Sequence, residues 1–112
     1  MRRGQVYWHR FAKPDKRRPV VVLTRTALLS HLGTVTVAAI TSTVRDSPSQ
    51  VALGRDDGMP RACAVNLHNV FTLDRTDLGP YVTTLPEERL TEIDGAIVFA
   101  LGVGEKPARL PH

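Results

Sequence analysis

Apolar residues recur along this chain with two spacings. From Gln5 to Thr84 they alternate with polar residues or cluster in short β-branched runs, the spacing of strands; from Pro86 onward they return every three or four residues, the spacing of a helix. The strongest strand signal is Arg17-Arg18-Pro19-Val20-Val21-Val22-Leu23-Thr24-Arg25. Its run of three valines and a leucine reads as a strand buried on both faces, with Pro19 where the strand begins and no ladder hydrogen bond is yet required.

Before it, Gln5 to Phe11 sets Val6, Trp8 and Arg10 on one side and Tyr7, His9 and Phe11 on the other, a first strand. Ala12-Lys13-Pro14-Asp15-Lys16 has turn chemistry, so the two strands form an antiparallel hairpin with a basic tip. After it, Thr26 is expected to cap one or two helical turns through Leu32, ended by Gly33. Thr34 to Thr41 is a third strand, Val44 to Ser49 a loop, Gln50 to Leu53 a fourth strand and Gly54 to Pro60 a turn. Ala62 to Leu67 and Val70 to Leu73 read as two short strands or one strand broken at His68-Asn69. A helical turn over Asp74 to Leu78 and a last strand over Tyr81 to Thr84 follow. The helix comes next, with Leu85 at its N-cap, Pro86 in its first position, acidic Glu87 and Glu88 in its first turn and Gly102 past its end.

About six or seven short antiparallel strands followed by one helix predict a mainly β (α+β) domain, a small SH3-like barrel with a C-terminal helix. One domain over residues 1–103 and a flexible tail over 104–112 account for the 112 residues. No apolar run approaches the 18 residues of a membrane span, and the N-terminus lacks the apolar run of a signal peptide. With Cys63 as the only cysteine there is no internal disulfide, and the expected compartment is a reducing cytosol.

Charge is distributed unevenly. Fifteen Lys and Arg against eleven Asp and Glu give +4, yet residues 1–18 hold seven bases and one acid, so the excess sits in the first hairpin and the remainder is slightly acidic. One edge of the molecule is therefore suited to a polyanion, nucleic acid first among them.

Common catalytic templates are absent: there is no P-loop, no GxSxG, no GxGxxG, and neither the four histidines nor Cys63 has the spacing of a metal site. What remains is a pair. In an antiparallel sheet the start of the second strand lies beside the end of the third, so Arg18 and Thr41 are neighbours at one rim. A cation and a hydroxyl fixed side by side suit the charge that builds on a phosphodiester as its phosphorus becomes five-coordinate. RNA carries its own nucleophile in the 2′-hydroxyl. Ser42, Thr43 and Arg45 extend this polar end, His9 and His68 are candidate bases, and Trp8 is either a stacking platform or a packing residue.

Arg3-Gly4-Gln5-Val6-Tyr7-Trp8, the Arg18-Pro19-Val20-Val21-Val22-Leu23 block, Ala38-Ala39-Ile40-Thr41-Ser42, Val65-Asn66-Leu67-His68-Asn69-Val70-Phe71-Thr72 and Leu85-Pro86-Glu87-Glu88 with Ala100-Leu101-Gly102 stand in the order and at the spacings of one family. Over residues 2–103 the chain resembles the MazF/PemK toxin endoribonucleases. The resemblance implies a CcdB/PemK-like barrel, paired as a homodimer, that cuts single-stranded RNA without metal or other cofactor and so stops translation and growth. The implied catalytic residues are Arg18 and Thr41, and the implied products are a 2′,3′-cyclic phosphate and a 5′-hydroxyl. A cognate antitoxin would lay a flexible segment in the RNA groove.

Lys13, Lys16, Arg17, Ser42, Thr43, Arg45, His68 and Asn69 are the expected RNA-binding residues. Two departures from the family pattern bear on them: the first loop is short and basic where the family's is longer and glycine-rich, and His68-Asn69 with Phe71 replaces a Glu-Gln pair and an arginine. A non-catalytic barrel acting on a protein such as gyrase, or a plain RNA-binding module, shares every feature except the Arg18 and Thr41 pair.

Overall fold

The computed structural model describes residues 1–11 and 16–106. Six strands, β1 (Gln5–Arg10), β2 (Arg17–Val22), β3 (Thr34–Thr41), β4 (Gln50–Leu53), β5 (Cys63–Asp74) and β6 (Tyr81–Thr84), form one antiparallel sheet in the order β4-β5-β3-β2-β1-β6. The sheet curls into a half-barrel. Its concave side is closed by the long helix α2 (Glu87–Leu101), and a single-turn helix α1 (Thr26–Leu29) covers part of the other side.

The alternation of each strand divides the apolar residues between these two sides. Val6, Val21, Ala38, Ile40, Val65 and Leu67 meet Ile93 and Ala96 of α2 in the main core. Val20, Val22, Val35 and Val37 meet Leu29 of α1 in a smaller cluster, fringed by Tyr7, Phe11, Phe71 and Leu78. Val20, Val21 and Val22 are all fully buried, as a strand covered on both faces requires.

Most elements form where the residue pattern puts them, and the differences have local causes. Ala62–Leu67 and Val70–Leu73 are one strand, β5, whose pairing with β3 slips between Ala38 and Ile40: Ala38 faces Val70, whereas Ile40 faces Val65. Thr26 is the first helical residue and not the cap, because its hydroxyl accepts the Arg3 backbone N–H at 3.0 Å, and the turn ends at Leu29, short of Leu32. Pro86, and not Leu85, occupies the N-cap of α2; Leu85 is buried in the main core instead. Gly102 ends α2 in the left-handed conformation, as its position predicts.

The β1–β2 hairpin is antiparallel, with Phe11 donating its N–H to the Lys16 carbonyl at 3.0 Å. Its expected tip, including Lys13, lies outside the described residues, as does the expected tail from residue 107 on. No helix among the described residues is long and apolar enough to cross a membrane.

Candidate active site at the barrel rim

β2 and β3 pair Val22 with Val37, Val21 with Ala38 and Val20 with Ala39. This pairing ends two residues short of Arg18 and Thr41, which stand at the rim where β2 begins and β3 ends. Both line one cavity of about 280 Å³, together with Trp8, Lys16, Arg17, Pro19, Ile40, Ser42, Met59, Pro60, Arg61 and Cys63.

The cavity is a place of unbalanced charge. Among the described residues its lining carries Lys16, Arg17, Arg18 and Arg61 and no carboxylate. Arg17 is occupied: its guanidinium lies 4.8 Å from the centre of the Trp8 ring, a cation–π contact that fixes both side chains. Trp8 is held in turn through its backbone, donating to the Pro80 carbonyl at 2.9 Å and accepting from the Gly79 N–H at 2.7 Å. A Cβ at Gly79 would stand 2.9 Å from the Trp8 carbonyl oxygen, so only glycine allows the chain to pass this closely. The Arg18 guanidinium makes no ion pair or hydrogen bond among the described residues and is left for a ligand.

Thr41 is set by the segment that follows it. Its Oγ1 accepts the Thr43 backbone N–H at 3.1 Å, which leaves the hydroxyl proton to be donated elsewhere. Gln50 secures the loop from the other end, its Oε1 accepting from the Arg45 N–H at 2.7 Å and its Nε2 donating to the Thr43 carbonyl at 3.4 Å. The rim therefore offers an unpaired cation and a hydroxyl donor in one recess open to solvent.

The other expected residues divide. Lys16, Arg17 and Ser42 line the cavity with Arg18 and Thr41. Thr43 and Arg45 are exposed in the β3–β4 connection and do not line it. His68 and Asn69 are exposed on β5 at the slipped register, where Asn66 Oδ1 accepts the His68 N–H at 3.1 Å, and they too lie off the cavity. Neither candidate base lines it: His9 pairs across from Arg18 in the β1–β2 register, yet its ring packs edge-on against Phe11 at 4.9 Å, with Nδ1 3.3 Å from the Asp77 carbonyl oxygen.

The sequence reading missed the third wall, Met59-Pro60-Arg61 and Cys63. It could be found only by knowing that the β4–β5 turn folds over the start of β2. Burial in this wall holds the Cys63 thiol above its ordinary range; the nearby Asp57 raises it further, and Arg61 works against both. No group of three or more metal-binding side chains occurs among the described residues.

The sequence and the fold agree with those of known proteins. A family model for PemK-like, MazF-like toxins of type II toxin-antitoxin systems matches residues 2–101. A probable endoribonuclease MazF2 of Mycobacterium tuberculosis is 39% identical over 93 residues, covering 82% of this chain and 89% of its own. Endoribonuclease MazF3 of the same species is 38% identical over 91 residues, covering 81% and 84%. Among solved structures, a mycobacterial endoribonuclease in complex with its cognate antitoxin superposes with a TM-score of 0.83 at 29% identity, covering 92% of this chain and 96% of that one. The M. tuberculosis toxin MazF-mt6 gives 0.79 at 32% identity, covering 88% and 96%. With a matching half-barrel, a cation-lined cavity at its rim and a family match across nearly its whole length, the chain belongs to the PemK-like, MazF-like toxins of type II toxin-antitoxin systems and is an endoribonuclease of that family.

Proposed function

We propose that this endoribonuclease cuts single-stranded RNA at the rim cavity, without metal, by attack of the substrate's own 2′-hydroxyl. The observation that carries the reading is that Arg18, where β2 begins, and Thr41, where β3 ends, line one recess whose described residues offer cations and hydroxyls and no carboxylate. As the O2′–P bond forms and the P–O5′ bond breaks, negative charge builds on the non-bridging oxygens. Arg18 stabilises it with a pair of parallel N–H donors and Thr41 with its free hydroxyl proton. A guanidinium keeps its proton in proteins, so Arg18 acts as an electrostatic partner and donor, not as the base. The products are a 2′,3′-cyclic phosphate and a 5′-hydroxyl.

Lys16, Arg17 and Ser42 hold the strand beside the scissile phosphate, while Thr43, Arg45, His68 and Asn69 contact it farther out; Lys13 is a further RNA-binding cation. The working form is a cytoplasmic homodimer of domains spanning residues 1–103, with residues 104–112 as a tail. The partner is a cognate antitoxin, which the antitoxin complex of the mycobacterial relative supports; in this reading a flexible segment of it covers the groove.

Incubation of the purified protein with a long single-stranded RNA in EDTA tests the reading. Cuts that persist in EDTA, vanish in Arg18→Ala and are blocked by a 2′-deoxy nucleotide 5′ of the cut support it. Cleavage of the deoxy-substituted RNA refutes the nucleophile, and RNA binding with no cuts by the wild-type protein refutes the whole reading.

A further inference from the structure

The cavity wall formed by Met59-Pro60-Arg61 is built more firmly than a surface turn needs. After a short 3-10 turn over Arg55–Asp57, Gly58 takes φ +87, and a Cβ there would run into the Thr83 side chain. Asp57, only 5% exposed, accepts the Gly54 N–H through Oδ2 at 2.9 Å and the Arg89 Nε of α2 through Oδ1 at 2.9 Å. Thr83 of β6 donates to the Asp57 carbonyl at 3.3 Å, and the Met59 side chain is buried in the main core. The turn is thus fastened to a strand, a helix and the core. Pro60 then stiffens the step into Arg61.

The side chain at the end of this rigid support is unrestrained. Arg61 is exposed, lines the cavity and makes no ion pair or hydrogen bond among the described residues. A fixed backbone carrying an unpaired guanidinium into a recess that already holds Arg18 is an arrangement for an anion. The lining also indicates which part of a nucleotide is met. Reading a base edge calls for donors and acceptors together, whereas the described lining has no carboxylate and no carboxamide, and its side-chain oxygen acceptors are the hydroxyls of Thr41 and Ser42. One acceptor position of the Thr41 hydroxyl is already taken by the Thr43 N–H.

We infer that Arg61, from the wall built by the β4–β5 turn, grips a backbone phosphate next to the scissile one, so that this cavity reads the polyanion and not the base sequence. The inference rests on RNA being the substrate of this rim. Base preference then belongs to groups outside the cavity.

The test uses the full chain, a single-stranded RNA carrying 2′-O-methyl groups for binding, and cleavable RNA for kinetics. In Arg61→Ala, affinity for the methylated RNA falls about tenfold at low salt, and the slope of log affinity against log KCl becomes shallower by about 0.7. The loss in cleavage falls on KM more than on kcat, and the set of cut sites stays the same. Arg61→Lys restores the slope, and Arg61→Met, which keeps the stem and removes the charge, does not. An unchanged slope in Arg61→Ala and Arg61→Met overturns the inference. So does a changed set of cut sites, which means the guanidinium reads a base. A wild-type protein that binds RNA with the Arg61-dependent slope and cuts nothing refutes the nuclease reading and leaves this one standing.

Discussion

Arg89 and Arg18 are the same side chain put to opposite uses. Arg89, on the first turns of α2, is fully committed: its Nε donates to Asp57 at 2.9 Å and its Nη1 to Glu92 at 2.7 and 3.0 Å. These hydrogen bonds, to Asp57 first and Glu92 second, hold its pKa above the ordinary arginine value. Arg18, at the start of β2, is exposed beside other cations and has no acid to answer it among the described residues of the cavity lining. A guanidinium whose Nε and Nη1 are spent on carboxylates ties a turn to a helix; one with no partner among the described residues is free to meet a ligand. What separates the two is the neighbouring carboxylates, Glu92 from the next turn of the same helix and Asp57 from a turn 32 residues away.

Breaking the free end of the comparison has the largest effect. Arg18→Ala lowers the single-turnover cleavage rate by about 10³-fold and leaves the urea midpoint unchanged, since no partner in the fold loses a contact. Thr41→Ala, which removes one hydroxyl donor, lowers it by about 10²-fold under the same assay. A large shift in the urea midpoint of either variant would move that residue into the structural class.

The committed end behaves in the reverse way. Asp57→Ala leaves the Gly54 N–H and Arg89 without their acceptor and costs about 2 kcal/mol in urea unfolding. The figure stays below that of a fully buried pair because the Arg89 side chain is 34% exposed. Its effect on cleavage comes through KM, by loosening the wall that carries Arg61. The Arg3–Asp94 pair, 2.8 Å long with the Asp94 side chain 60% exposed, sharpens the contrast from below: Asp94→Asn changes stability by less than about 0.5 kcal/mol.

Alkaline pH separates the two regions more gently. Burial raises the Tyr7 phenol, with Tyr81 adding to it, and burial raises the Cys63 thiol. Both acids are therefore kept protonated by the fold beyond the pH at which the unfolded chain releases them. Their contribution to stability is complete below the unfolded pKa values and is lost as pH rises through the folded ones. Urea midpoints measured upward from pH 8 should decline. In Arg61→Ala the Cys63 thiol loses the one neighbour that lowers it, so alkylation under mild urea needs a higher pH than in the wild-type protein; an unchanged alkylation profile would show that Arg61 exerts no field there.

Much of this molecule is legible residue by residue. Strands repeat every second residue and helices every third or fourth, so β2, β3, β6 and α2 are visible in the order of apolar side chains, and Gly58 and Gly102 mark their turns. Even the neighbourhood of Arg18 and Thr41 follows from the chain, because consecutive antiparallel strands have only one way to set a beginning beside an end. Helix entry was harder: Thr26 has a cap residue's side chain, but a backbone N–H from 23 residues away takes its oxygen.

Only the tertiary structure decided which side chains share the rim. The order β4-β5-β3-β2-β1-β6 carries the turn after β4 over the start of β2, and so brings Arg61 to Arg18 across more than forty residues of chain. The slip in β5 moves His68 and Asn69 away from the cavity, and the pairing of Asp57 with Arg89 settles which arginine is structural. Local patterning fixes how each segment folds because its energies act between near neighbours. Contacts between separate segments depend on how the whole sheet closes, and no short stretch of residues contains that information.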